Sequence, residues 1–141
     1  MQGGTHTNCM SIREWIETEN TVWVELLVFL LGGLTYALIE ILFRGHTHWT
    51  MVLTGGACIV TLYILLDWLG QQPLILAALT GALIVTVYEF AVGCMVNLYL
   101  GWNIWDYSDM EGNLLGQICP AYTAAWFILC FLFLGSIRLL S

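Results

Sequence analysis

Two glutamates sit inside long apolar runs, Glu40 within Leu26–Phe43 and Glu89 within Leu74–Leu100. A carboxyl group at bilayer depth is costly, and where it persists it marks a functional or paired position. Such a group can trade a proton for a cationic solute, and nearby aromatic rings would add cation–π attraction. A structural ion pair competes with this reading. Glu40 and Arg44 have the i,i+4 spacing that puts opposite charges on one helix face. Arg44 would then hold Glu40 or Glu89, with the other carboxyl protonated or capped. One arginine does not comfortably neutralise both buried carboxylates, so pairing explains Glu89 less well.

His46 and His48 follow directly. An H-x-H pair shares one face only on extended backbone and diverges on a helix. Zinc takes three or four ligands, so Glu40 or Glu89 would have to complete the set. That metal reading carries with it a metal-dependent membrane enzyme, but the chain contains no HExxH or GxSxG motif. The expectation is a protein that is not an enzyme, and no cofactor is identified.

The elements that must position these residues follow from composition. Of 141 residues, 60% are hydrophobic and 9% charged, against about 25% charged in a soluble domain. There is no lysine, and the arginines are Arg13, Arg44 and Arg138. A net charge of −7 argues against nucleic acid as a partner, which needs a basic surface. The partner implied is the lipid bilayer. The five cysteines have no CxxC spacing and read as small apolar filler rather than a disulfide framework.

A helix needs about 20 apolar residues to cross a bilayer. Four segments qualify: Val24–Phe43, Trp49–Leu69, Leu74–Leu100 and Ala121–Leu140. Ahead of them, Ser11–Trp23 mixes Ile12, Trp15, Ile16 and Trp23 with acidic residues and reads as a short interfacial helix. It has no apolar core of the kind a signal peptide carries. The expected organisation is residues 1–23 as an interfacial segment and 24–141 as an all-α, polytopic domain of four transmembrane helices. Trp15, Trp23, Trp49, Trp68, Trp102 and Trp105 fall near proposed ends, as an aromatic belt requires.

Both glutamates approach the same side of this layout. The Arg44–His48 turn and the Gly101–Pro120 loop lie there too. Gly32 precedes Glu40 at the spacing by which Gly81 precedes Glu89, which suggests a two-helix repeat, with a site at the repeat interface as in transporters. The glycines Gly32, Gly33, Gly55, Gly56, Gly81 and Gly93 favour close helix contact. The long loop is too aromatic for a linker. Asp106, Ser108 and Asn113 suit turns and caps, and Trp105 and Tyr107 suit anchoring at headgroup level.

Within that loop, Trp105-Asp106-Tyr107-Ser108, Asn113-Leu114 and Gly116-Gln117-Ile118-Cys119 resemble the W-D-Y-S…N-L-x-G-x-I-C signature of the bacterial putative ABC-transporter type IV, permease-like family. Glu89 and Glu40 are similar to that family's glutamates in the preceding and first spans. The resemblance runs from Leu31 to Trp126. It departs at Gln117, where arginine is usual, and at Pro120, where an apolar residue is usual. It implies a multi-pass protein of the bacterial inner membrane with a role in transport. The chain has no P-loop, so any ATPase would be a separate subunit. The expected function is a permease for a small solute or ion, working as a homo-oligomer such as a dimer. Its candidate site is Glu40, Glu89, Arg44, Asp106, Trp105, Tyr107 and Asn113, with His46 and His48 as candidate metal ligands. A non-transporting partner or assembly subunit with structural ion pairs is the second expectation.

Overall fold

The structure, a computed structural model, describes the backbone of residues 12–140 and the side chains of residues 21–139. Its helices are α1 (Ile12–Arg44), α2 (Trp49–Ile64), α3 (Leu66–Gln71), α4 (Leu74–Gly93) and α5 (Pro120–Leu140), with a π-helical segment at Cys94–Tyr99. The chain is all-helical in class.

Among the described residues, three helical stretches are long and apolar enough to cross a membrane: Thr21–Arg44, Leu74–Tyr99 and Pro120–Leu139. Of the four expected spans, the second is not confirmed as a single helix. The helix expected over Trp49–Leu69 stops at Leu65, whose ψ of 0° breaks the regular path between α2 and α3. The 16 residues of α2 rise only about 24 Å, short of the ~30 Å hydrocarbon core. The N-terminal segment is not a separate helix either. Ile12 to Arg44 is one helix of 33 residues. Cys9 and the side chains of Trp15 and its acidic neighbours lie outside the described residues.

The helices form two antiparallel hairpins, α1 with α2 and α4 with α5, joined chiefly by α2 against α4. Small residues set the first hairpin. A side chain at Gly55 would collide with Tyr36, one at Gly56 with Phe29, and one at Gly32 with Ile59. Gly81 plays the same part in the second hairpin, where a side chain would press on Cys130 of α5. The two glycines that precede the glutamates thus each receive the next helix of their own hairpin, which gives the suspected repeat a packing basis.

Two cores lie at opposite ends. Leu62, Leu69, Ala77 and Leu134 form one. Arg138 closes that end by donating to the carbonyls of Leu69 (2.8 Å) and Gln72 (2.7 Å), tying α5 to α3. Tyr36, Met51, Val96 and Trp105 form the other, beneath the long loop. Leu27, Leu30, Leu34 and Leu38 of α1, and Leu83 and Val87 of α4, remain exposed, an apolar exterior suited to lipid.

The glutamate end is built by precise terminations. Gly45, at φ +78°, closes α1 with its N–H on Ile41 O, an αL cap that favours glycine. Pro120 opens α5, a position where its missing N–H costs nothing. This accounts physically for one departure from the family pattern. Between them the Gly101–Cys119 loop is folded, as the sequence suggests. Gln117 N donates to Leu114 O at 3.0 Å around Leu115 and Gly116, both at positive φ as a type I′ turn requires, and Leu114 N reaches one residue further to Ile118 O at 2.9 Å. Tyr107 N donates to Gly116 O at 2.7 Å and binds the two halves of the loop together.

Candidate functional site

α1 and α4 bring their glutamates to one cavity. It measures about 260 Å³ and is lined by Tyr36, Glu40 and Arg44 of α1, Glu89 of α4, Tyr107 of the loop, and Tyr122 and Trp126 of α5, with apolar residues between. The two carboxyl groups have different partners. Arg44 Nη1 meets Glu40 Oε1 at 2.6 Å, and Thr47 donates to Glu40 Oε2 at 2.6 Å. Arg44 Nη2 donates to Ile104 O at 2.9 Å. Glu40 and Arg44 therefore form a pair that also pins the loop to the end of α1, as the ion-pair reading anticipates.

Glu89 is 3% exposed. Its Oε1 accepts from Tyr36 OH at 2.8 Å and its Oε2 from Trp126 Nε1 at 3.0 Å. Among the described residues no arginine or histidine lies within ion-pair distance of it. Two neutral donors hold the carboxyl in place, and no cation touches it among the described residues. Tyr36 and Trp126 stack at 5.3 Å between centroids, and Tyr107 and Tyr122 at 4.5 Å, so two aromatic pairs flank the carboxyl groups. Burial, with the Glu89 charge as a second cause, pushes the Tyr107 phenol above its ordinary range, so it stays neutral.

Of the residues anticipated from sequence, Glu40, Arg44, Glu89 and Tyr107 meet at this cavity, whereas Trp105, Asp106 and Asn113 do not line it. Asp106 is exposed and turns back on its own loop, accepting from Ser108 N at 2.8 Å and Ser108 Oγ at 2.5 Å. Those bonds, the hydroxyl first, hold its carboxyl below the usual range. Asn113 donates to Ser108 O and Met110 O and accepts from Gly116 N, which shapes the turn. Trp105 is not a headgroup anchor. It is 4% exposed and donates to Gln117 O at 2.9 Å.

The histidines likewise stand apart. His48 caps α2, accepting from Thr50 N and pairing with Thr50 Oγ1 at 2.9 Å. His46 turns to Arg44 O at 3.0 Å. Among the described residues no three His, Cys, Asp or Glu side chains gather as a metal site, and local turn and cap bonds occupy His46 and His48.

Sequence reasoning missed the residues that organise the site. Tyr36 and Trp126 carried no motif. The usable signal was that Trp126 is the one tryptophan set inside a span instead of near an end. Asn97, in the π segment, is the hub beneath the loop. It donates to Trp105 O (3.0 Å) and Gln117 Oε1 (2.8 Å) and accepts from Ile104 N (2.7 Å). Gln117, the second departure from the family pattern, is 3% exposed and fills this network. Gly93 makes the room, since a side chain there would strike Gln117 and Trp105.

Fold and site thus define an apolar helical membrane protein with a carboxyl- and aromatic-lined cavity at one end. The family described as "putative ABC-transporter type IV" matches residues 42–140, and the chain belongs to it. The match takes in Arg44, Glu89 and the whole loop and begins just after Glu40. No curated protein and no solved structure matches the chain.

Proposed function

We propose that the chain is a non-enzymatic permease of the bacterial inner membrane that binds a small cationic solute at Glu89 and exchanges it for a proton. The observation that carries this reading is the contrast between the carboxyl groups. Glu40 has its arginine, while Glu89 is held by Tyr36 and Trp126 with no cation beside it among the described residues. An unpaired carboxyl deep in an apolar wall is expensive and is a default functional position. The flanking aromatic rings suit a cation that has shed water.

In this reading α2 and α3 together supply a fourth crossing, the protein works as a homo-oligomer, and the Gly101–Cys119 loop gates the cavity through Tyr107. The alternative, a non-transporting assembly subunit, is favoured by one observation, the structural use of Arg44 on both Glu40 and Ile104. Dye-loaded proteoliposomes with an imposed pH gradient separate the two. Added sodium or tetramethylammonium collapses the gradient through the wild type but not through Glu89→Gln, with folding of both checked by thermal unfolding. Equal collapse in the variant removes the proposal.

A further inference from the structure

The cavity at Glu89 is the head of a longer groove. α1 packs on α2 and α5 on α4, and between α1 and α5 two more cavities follow the first. The next, about 220 Å³, shares Tyr36, Ile39, Trp126 and Leu129 with it. The last, about 350 Å³, shares Gly32, Thr35, Ile59, Leu62 and Phe133 with the second and reaches Val28 and Ile137. Apart from Thr35 and Tyr63, these last two cavities owe their walls beyond Tyr36 and Trp126 to aliphatic, phenyl, thiol and glycine groups. Val28 to Glu40 is about 18 Å of helix at 1.5 Å per residue, close to the depth of one leaflet, half of the ~30 Å hydrocarbon core. One end of the groove carries a carboxyl group with no cation in contact and aromatic rings, and the other end is apolar but for Thr35 and Tyr63.

We infer that this groove takes a single-chain cationic amphiphile, its ammonium head at Glu89 between the Tyr36–Trp126 and Tyr107–Tyr122 pairs and its alkyl tail along α1 and α5. This rests on the proposed role of Glu89 and adds the substrate class. Charge complementarity commits the head: the cavity holds two carboxyl groups against one arginine, which is already paired. The tail gains little by leaving lipid, since lipid is as apolar as the groove. The groove therefore contributes alignment and a lateral way in from the leaflet, and the head group contributes selectivity.

The test uses the full chain in lipid nanodiscs and a dodecyltrimethylammonium analogue with a photoreactive diazirine midway along the tail. Sites of attachment are mapped by mass spectrometry. The inference expects labelling concentrated at Thr35, Ile59 and Phe133, reduced about tenfold in Glu89→Gln, and absent when the same tail carries a sulfate head at equal membrane concentration. Thr35→Trp, which fills the groove without touching the head cavity, should abolish labelling at Phe133 and leave tetramethylammonium binding intact. Labelling that persists in Glu89→Gln, matches the anionic probe, or spreads evenly to Leu83 and Val87 overturns it. So does loss of self-association in Thr35→Trp with no change in labelling, which would make the groove an interface between copies. Groove labelling without proton-linked flux would leave this inference standing and remove the transport reading. Flux with evenly spread labelling would do the reverse.

Discussion

At the scale of single residues, the two glutamates were legible as a pair of unusual groups, and the Glu40–Arg44 contact followed from i,i+4 spacing alone. Their difference was not legible, because Tyr36 and Trp126 reach Glu89 from helices remote in sequence. Removing one member of a largely buried ion pair strands the other. Glu40→Gln and Arg44→Gln should therefore each lower thermal stability in detergent, with a coupling of about 1–3 kcal/mol in the double-mutant cycle. The buried thiols of Cys58, Cys119 and Cys130 provide the readout through a thiol-reactive dye, and additive losses would deny the pair. Asp106 gives a pH prediction. Its carboxyl is held below the usual range by Ser108, so the folded state favours the ionised form. The stabilising effect on the loop is present above the ordinary carboxylate pKa and is lost as pH falls through the folded value. Protection factors for the Ser108 amide should drop on acidification in the wild type and show no such step in Asp106→Asn.

At the scale of elements, apolar length and turn residues located α1, α4 and α5, because burial in lipid demands uninterrupted helix. They did not show the break at Leu65, since no residue there forbids a helix and α3 is held from outside by Arg138. The π segment was invisible for a similar reason. Its wide turn, seen in Leu100 N on Met95 O at 3.0 Å, belongs to a common site of functional distortion. Its consequence is the placement of Asn97 under the loop. Asn97→Ala strands the carbonyl of Trp105, the side-chain oxygen of Gln117 and the N–H of Ile104. The expected cost is about 2–4 kcal/mol, read as a lower melting temperature, together with faster proteolysis between Gly101 and Cys119. An unchanged loop would show that Asn97 is not its anchor.

At the scale of the whole molecule, the repeat suggested by two glycine–glutamate spacings corresponds to two hairpins joined through α2 and α4. That join leaves a groove between α1 and α5 and draws Glu40 and Glu89 to one end of it. The arrangement concentrates the costly groups where the Gly101–Cys119 loop covers them and leaves the outer faces of α1 and α4 largely apolar. In the proposed function Glu89 is the group that exchanges a proton for a cation. Proton release on binding tests it most directly: purified protein in weakly buffered detergent with a pH indicator is titrated with tetramethylammonium. The wild type should release protons in proportion to occupied sites, and folded Glu89→Gln should release none. Binding by the wild type with no proton released, or equal release by the variant, would remove that role from Glu89.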